Sequence, residues 1–172
     1  MNYFKPTKYY KNIKEINYKE LKKLGIKCLV FDLDNTLGSI VNNSCPKESI
    51  DLIKNLKKDF LVVICSNNTK RRITPYLEEL QIDGYPWSLK PTTRGLRKIK
   101  NNYSLKKEEM CIIGDQLLTD VFSGKNYGIM TILVDPYNKK DLTITKLNRI
   151  MENIIIKKYS KNGIFKRGNY YE

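Results

Sequence analysis

The sequence contains no histidine among its 172 residues. This absence excludes Ser-His-Asp and Cys-His nucleophile systems, zinc sites built on histidine, and any histidine general base. Catalysis by this chain would therefore depend on carboxylates, amines and hydroxyls, and on a hard metal ion where one binds.

Cysteine is scarce as well, and the four present include no Cys-x-x-Cys pair. Three of the four lie within apolar runs, which predicts buried free thiols. No apolar run approaches the ~20 residues that span a bilayer, and the opening stretch MNYFKPTKYYKN lacks the apolar segment of a signal peptide. We therefore expect a cytoplasmic protein.

Glycine and proline number only 9 and 6, and 41% of the residues are hydrophobic, which favours a globular fold over a disordered or fibrous chain. The length suits one domain with a substantial core, so we expect a single domain over residues 1–172.

The net charge of +14 is unevenly distributed. Residues 1–27 carry 8 Lys and Arg against 2 Asp and Glu, and residues 139–172 carry 9 against 3. A nearly neutral middle is thus flanked by two basic segments. Either an anionic partner or a drift in composition explains this pattern.

Short apolar runs rich in β-branched residues alternate with helical patterns. Runs that are apolar on both faces predict strands of a parallel sheet covered by helices on both sides, that is, a doubly wound, Rossmann-like α/β fold. The predicted strands are 27–32, 60–65, 110–113 and 130–134, and the predicted helices are 46–58, 69–80, 92–103 and 117–127.

A further amphipathic, basic helix is predicted over about 141–159. Leu147, Ile150, Met151, Ile154 and Ile155 recur at helical spacing, with Lys146, Arg149 and Lys157 on the other side. Two interpretations stay open: the helix packs as the last helix of the domain, or it lies on an anionic membrane surface.

Polar residues follow three of the predicted strands directly. They are Asp32, Asp34, Asn35 and Thr36 after the first, Ser66, Asn67 and Asn68 after the second, and Gly114 and Asp115 after the third. Because parallel strands end at the same edge of a sheet, these side chains should meet there. Lys90, which precedes a helix, and Asp120 are expected to join them.

Several carboxylates gathered in a partly buried site repel one another unless a cation lies among them. Oxygen ligands without histidine or clustered cysteine favour Mg²⁺, with Mn²⁺ as a tolerable substitute. Together with Lys90 and the hydroxyl and amide donors of Ser66 and Asn67, such a site suits a phosphoryl group.

Four segments together resemble the motifs of the haloacid dehalogenase (HAD) superfamily. They are Asp32-Leu-Asp34-Asn-Thr36, Ser66-Asn-Asn68, Lys90-Pro91 and Gly114-Asp115-Gln-Leu-Leu-Thr-Asp120. The resemblance runs from about residue 6 to about residue 163 and is narrower still to the YqeG-type branch, subclass IIIA, whose relatives include phosphatidylglycerophosphate phosphatases. It implies a Mg²⁺-dependent phosphatase of the HAD fold.

The resemblance also implies roles for the acids. Asp32 matches the nucleophile that forms an aspartyl-phosphate, and Asp34 matches the general acid and base. Asp115 matches the metal ligand, joined by the Asp32 carboxylate and the main-chain carbonyl of Asp34. Asp120 matches a supporting acid that holds metal waters or the lysine.

The remaining motif residues match the groups around the substrate. Ser66 and Lys90 match the groups that bind the phosphate, and Asn67 is expected to add a backbone donor. Thr36 completes the first motif and is expected to support the site.

The gaps between motifs predict an open site without a cap domain. Only 28 residues separate Leu37 from Ser66, and 23 separate Ser66 from Lys90, which a short flap, two helices and two strands already fill. An open site suits a phosphate carried by a large or membrane-bound molecule. The resemblance to phosphatidylglycerophosphate phosphatases implies phosphatidylglycerophosphate as the favoured substrate.

Two alternatives to that substrate assignment remain. One is a phosphatase of a nucleic-acid end, a phosphoprotein or a sugar phosphate. The other is a basic protein that binds RNA or ribosomes through the interleaved Lys and Tyr of NYFKPTKYYKNIK and YSKNGIFKRGNYY, with a vestigial site.

Overall fold

The fold is built on six parallel strands. A computed structural model describes residues 2–39, 44–138 and 143–172, with the backbone alone for 143–148. The strands are β1 (Lys8–Tyr10), β2 (Cys28–Phe31), β3 (Leu61–Cys65), β4 (Asp83–Tyr85), β5 (Met110–Gly114) and β6 (Met130–Val134). They form one sheet in the order β1-β6-β5-β2-β3-β4, which confirms the predicted doubly wound α/β architecture.

Within the described residues, six α-helices connect the strands or follow them. They are α1 (Tyr18–Lys23), α2 (Lys47–Leu56), α3 (Lys70–Leu80), α4 (Arg94–Asn102), α5 (Phe122–Tyr127) and α6 (Thr143–Lys161). The four helices predicted before the tail are all present, although the one expected over 117–127 begins as a π-helical turn, Leu117–Val121. Strands β2, β3 and β5 are buried almost throughout, which explains their unbroken apolar sequences.

The segments between the motifs contain what the gaps predicted. In the described residues, α2 and β3 lie between Leu37 and Ser66, and α3 and β4 lie between Ser66 and Lys90. Part of the predicted flap, residues 40–43, lies outside the described residues. All four cysteines are buried free thiols, as predicted.

The two basic flanking segments pack together on the edge of the sheet. Tyr9 in β1 exchanges backbone hydrogen bonds with Tyr171, at 2.8 and 2.9 Å, and its ring packs against Phe165. Tyr9, Tyr10 and Phe165 are buried. These three rings form core contacts, so they do not offer the stacking surface that the nucleic-acid alternative needs.

The C-terminal helix packs on the domain but leaves much of its predicted apolar face exposed. Glu152 is fully buried, and Ile156 and Tyr159 pack against the core, whereas Ile150, Met151 and Ile154 are exposed. The side chain of Leu147 and residues 141 and 142 lie outside the described residues. Of the described residues, no helix is apolar and long enough to cross a bilayer.

Candidate active site

The predicted site residues gather at the carboxyl edge of the sheet because three neighbouring parallel strands end there. Asp32 follows β2, Ser66 follows β3 and Asp115 follows β5, and β2 lies between the other two strands. The Asp32 backbone N–H still pairs with the Ile113 carbonyl, at 2.9 Å, so the first acid leaves the sheet directly beside the third motif.

Three carboxylates form one buried cluster around a lysine. Asp32, Asp115 and Asp120 each place a carboxylate oxygen within 4.8 Å of the others. The Lys90 ammonium donates to Asp32 Oδ1 and to Asp120 Oδ1, both at 2.6 Å. Thr36 Oγ1 lies 3.4 Å from Asp115 Oδ1. The pairing of β2 with β5 therefore brings together Asp32 and Asp115, which are 83 residues apart in the sequence.

Burial dominates the electrostatics of this cluster. Desolvation raises the pKa of Asp32 to about 8; Lys90 opposes that shift, and Asp120 and Asp115 add to it. Desolvation likewise raises the pKa of Asp115 to about 7 against the opposing charge of Arg149. Burial alone would lower the pKa of Lys90, but the Asp120 and Asp32 carboxylates raise it instead. The single positive charge of Lys90 therefore cannot balance both of the carboxylates that it contacts, Asp32 and Asp120.

The spacing between Asp115 and Asp120 is accommodated by the π-helical turn. Val121 N–H donates to the Gln116 carbonyl five residues back, at 3.2 Å, and Gln116 N–H donates to Asp120 Oδ2, at 3.2 Å. The turn folds Asp120 back against Gly114, where an added Cβ would lie 2.3 Å from the Asp120 carboxyl carbon. Glycine at 114 thus leaves the space that the Asp120 carboxylate occupies.

The Asp34 carboxylate lies outside this cluster and has its own partners. Arg72 donates to Asp34 Oδ1, at 3.0 Å, and the Asn68 amide donates to Asp34 Oδ2, at 2.6 Å. Asn68 also donates to Ser66 Oγ from its side chain, at 3.0 Å, and from its backbone N–H, at 3.2 Å. Asn68 of the second motif therefore positions Asp34, the second acid of the first motif.

Asn67 holds the main chain of Lys90 rather than presenting its own side chain for a phosphate. Its amide donates to the Lys90 carbonyl, at 2.8 Å, and its side-chain oxygen accepts from Lys90 N–H, at 2.7 Å, and from Ser88 Oγ, at 3.1 Å. Donation from the Asn67 backbone N–H to the phosphate stays a prediction.

Two arginines that the sequence analysis did not place in the site contact its acids. Arg72 lies in the first turn of α3, just after the cap residue Thr69, whose hydroxyl accepts from Arg72 N–H at 3.2 Å. Helices that follow parallel strands begin at the carboxyl edge, so a cation at this position could have been recognised from the sequence.

Arg149, in α6, had no such local indication. It donates to the Asp115 carboxylate and, at 2.8 Å, to the Asp115 carbonyl, and it pairs with buried Glu152, at 3.0 Å. Glu152 in turn accepts from Leu118 N–H, at 3.0 Å. The tail helix is thereby tied to the loop that carries Asp115.

The donor set of the cluster fits a divalent, oxygen-preferring cation. Three carboxylates converge within 4.8 Å, and their burial raises the pKa values of two of them, which a bound cation would offset. Asp32, Asp115 and Asp120 offer side-chain oxygens, whereas the Asp34 side chain does not reach the cluster. The main-chain carbonyl of Asp34 stays a predicted ligand.

Mg²⁺ binding is expected to tighten as the pH rises. Because the pKa values of Asp32 and Asp115 are raised to about 8 and about 7, the folded protein retains protons that the unfolded chain releases at lower pH, and Mg²⁺ must displace them. We expect the apparent Kd for Mg²⁺ to fall by about tenfold or more from about pH 6 to about pH 8. Thermal denaturation with and without Mg²⁺ across this range measures the effect.

The variant Asp115→Asn is the control for that titration. Removing one titrating ligand should weaken Mg²⁺ binding and reduce its pH dependence. An equal Mg²⁺-induced change in melting temperature at every pH in the unsubstituted protein would contradict the prediction.

Comparison with known proteins agrees with this geometry. The model of haloacid dehalogenase-like hydrolases matches residues 29–89, and a second model, described as HAD-hydrolase-like, matches residues 89–153. Among solved structures, an uncharacterised protein from Listeria monocytogenes serotype 4b has a TM-score of 0.55 at 13% identity, covering 76% of this chain and 99% of that one. At this identity the likeness shows the fold alone.

A second solved structure, a HAD family enzyme from Bacteroides thetaiotaomicron, has a TM-score of 0.54 at 14% identity. It covers 70% of this chain and 99% of its own, and it is a complex with magnesium and inorganic phosphate. This likeness too concerns the fold.

Two curated relatives are similar in sequence. A phosphatidylglycerophosphate phosphatase of Arabidopsis thaliana is 24% identical over 90% of this chain, which spans 47% of that protein. The probable phosphatase YqeG of Bacillus subtilis (strain 168) is 36% identical, and the similarity covers 94% of both chains. The chain therefore belongs to the HAD superfamily, as a phosphatase related to YqeG.

Proposed function

We propose that this phosphatase is a Mg²⁺-dependent phosphomonoesterase that acts through an aspartyl-phosphate on Asp32, with phosphatidylglycerophosphate as its substrate. The observation that carries the chemistry is the separation of two kinds of acid. Asp32 lies in the buried carboxylate cluster with Lys90, whereas Asp34 lies apart with Arg72 and Asn68. We also propose that residues 1–172 act as one domain.

In this proposal the reaction has two displacement steps. A carboxylate oxygen of Asp32 attacks phosphorus, the bond from phosphorus to the alkoxide breaks, and Asp34 gives the alkoxide a proton. Water then attacks the phosphorus of the aspartyl-phosphate and gives its proton to Asp34, which releases inorganic phosphate and restores Asp32. A bound Mg²⁺ would supply charge neutralisation at the phosphoryl oxygens.

The neighbouring residues would hold the reacting groups in place. Lys90, fixed between Asp32 and Asp120, would balance charge on the phosphoryl oxygens, and Ser66 would donate to one of them. Asp115 and Asp120 would hold the metal with Asp32, and Thr36 would orient Asp115. Arg72 and Asn68 would aim the Asp34 carboxyl at the leaving oxygen.

The lipid substrate is supported by two further observations. The described segments between the motifs hold only α2, β3, α3 and β4, which suits a large or membrane-bound phosphate. The relative from Arabidopsis thaliana is a phosphatidylglycerophosphate phosphatase, although this chain spans about half of its length. We infer peripheral contact with the cytoplasmic face of the membrane as part of this function.

Phosphate release from a substrate panel tests the proposal. The panel contains phosphatidylglycerophosphate in mixed micelles, small sugar phosphates, phosphopeptides and oligonucleotides phosphorylated at the 3′ or 5′ end. We expect the lipid to have the highest kcat/KM, and chelation of Mg²⁺ to abolish its hydrolysis. Faster hydrolysis of any soluble member would overturn the lipid assignment, and chelator-resistant hydrolysis would overturn the metal dependence.

A further inference from the structure

The loop before Lys90 holds two apolar side chains outward at a conformational cost. Trp87 and Leu89 have φ values of 49° and 54°, in the left-handed region that bulky residues rarely adopt. Trp87 is 58% exposed and Leu89 is 48% exposed, although Ser88 between them is buried. The fold thus maintains a strained backbone that leaves a tryptophan and a leucine in water.

This loop is fixed to the phosphatase motifs by its backbone. Trp87 N–H donates to the Asn68 carbonyl, at 3.0 Å, and Ser88 N–H donates to the Ser66 carbonyl, at 3.1 Å. Since Asn68 contacts Asp34, the two apolar side chains lie at the rim of the site. The strained backbone is therefore held in place by hydrogen bonds to the motif residues of the site.

A second apolar surface lies on the exposed face of α6, the helix that contacts the site from the side opposite the loop. Helix α6 exposes Ile150, Met151 and Ile154, while Arg149 of the same helix contacts Asp115. Asp115 follows β5 and the loop follows β4, with β2 and β3 between these strands. At about 5 Å per strand spacing, roughly 15 Å separate the two sides, and Asp32 lies between them.

The rim also carries exposed positive charge. Lys70 and Arg71 open α3, and Arg94 opens α4, so all three cations lie at the carboxyl edge of the sheet. Cations interspersed with exposed tryptophan and aliphatic side chains are complementary to the headgroup layer of an anionic bilayer. Nucleic acid would use the cations and the tryptophan ring but gain little from four aliphatic side chains.

We propose that this docking face, defined by Trp87, Leu89, Ile150, Met151 and Ile154 with the three rim cations, seats the phosphatase on an anionic bilayer. The phosphatase site then opens onto the headgroup layer between two apolar anchors. The inference rests on the proposed lipid substrate, because it gives that substrate its route to Asp32.

Trp87 is the only tryptophan in the chain, so its fluorescence reports on the loop directly. With vesicles that contain phosphatidylglycerol but no phosphorylated substrate, we expect the emission to shift to shorter wavelength and brominated lipids to quench it. Unchanged emission at saturating vesicle concentration would overturn the proposal. A shift produced by single-stranded RNA and not by vesicles would overturn it in favour of nucleic acid.

Matched leucines provide the control for vesicle binding. Leu24, which is 53% exposed, precedes β2 and so lies near the amino edge of the sheet, away from the site. In vesicle flotation we expect Leu89→Ala to weaken binding by about fivefold or more, the pair Ile150→Ser and Ile154→Ser by about tenfold or more, and Leu24→Ala by less than about twofold. Equal binding by Leu89→Ala and Leu24→Ala would overturn the docking face.

The two proposals can fail separately. The vesicles in this test contain no substrate, and the micelles of the substrate panel contain no bilayer. Vesicle binding without hydrolysis of the micellar lipid would overturn the substrate assignment and leave the proposed docking face standing. Hydrolysis of the micellar lipid without vesicle binding would support the substrate assignment and overturn the proposed docking face.

Discussion

Replacing Asp32 by asparagine is expected to lower phosphate release by at least about a thousandfold, because an amide lacks the nucleophilic oxygen that the proposed mechanism needs. The fold should not suffer. The pKa of Asp32 is raised to about 8, so at neutral pH the folded state has no net gain from ionising this group. An asparagine of the same shape removes one acid from a cluster of three, and we expect the metal-free melting temperature to be unchanged or higher.

The exposed acid Asp51, on α2, provides the matched control, since Asp51→Asn makes the same chemical change outside the cluster. Activity is measured as inorganic phosphate released, and the fold is checked by circular dichroism and thermal denaturation. Retention of full activity by Asp32→Asn, or an equal loss in both variants, would disprove the proposed nucleophile.

Replacing Lys90 by methionine is expected to destabilise the protein in a pH-dependent way as well as to inactivate it. The ammonium is buried and bonded to Asp32 and Asp120, and its raised pKa keeps it charged through the neutral range. Its loss leaves buried carboxylates without their cation, which costs about 3 to 5 kcal/mol of unfolding free energy near pH 8. At about pH 5 Asp32 holds a proton, because its pKa is raised to about 8, so the cost should be smaller.

Urea denaturation without Mg²⁺ at the two pH values measures this difference. Lys54→Met, on the exposed side of α2, is the control for the change of side chain. Mg²⁺ should restore part of the stability of Lys90→Met at pH 8, because it supplies the missing positive charge. A loss of stability that is the same at both pH values would mean that Lys90 acts through packing alone.

The core of the fold was predictable because its strands are buried on both faces. Runs such as the one ending at Cys65 are apolar at every position, so they can be recognised as buried strands without knowing which strands pair with them. β1 was missed for the opposite reason. It has three residues, and its buried Lys8 reads as a surface charge until its pairing with Glu20, at 2.9 Å, is known.

The acids of the site were predictable because the sheet is parallel. Once strand ends share an edge, Asp32 and Asp115 must approach each other whatever their separation in sequence. Arg149 was not predictable by this argument, since a tail helix has no required position relative to the sheet. Its partner Glu152 is the one acid in this basic helix, and the sequence analysis did not recognise it as half of a buried pair.

The face of the tail helix could not be predicted for a related reason. Helical spacing showed that one side is apolar, and burial of that side is the usual outcome. Here the buried positions are those that reach Asp115 and the loop after it, through Arg149 and Glu152. These polar contacts and the packing of Ile156 and Tyr159 lie on one face of the helix, and Ile150, Met151 and Ile154 are left exposed.

The pairing of Tyr9 with Tyr171 has a consequence for how the chain is assembled during synthesis. β1 leaves the ribosome before the other strands, yet its inner neighbour β6 follows some 120 residues later, and its outer partner emerges later still. Until then the edge of the nascent sheet is open to pairing with other chains. A chain shortened before Tyr171 would keep that edge open permanently, so point substitutions are better suited than truncation to testing the tail helix.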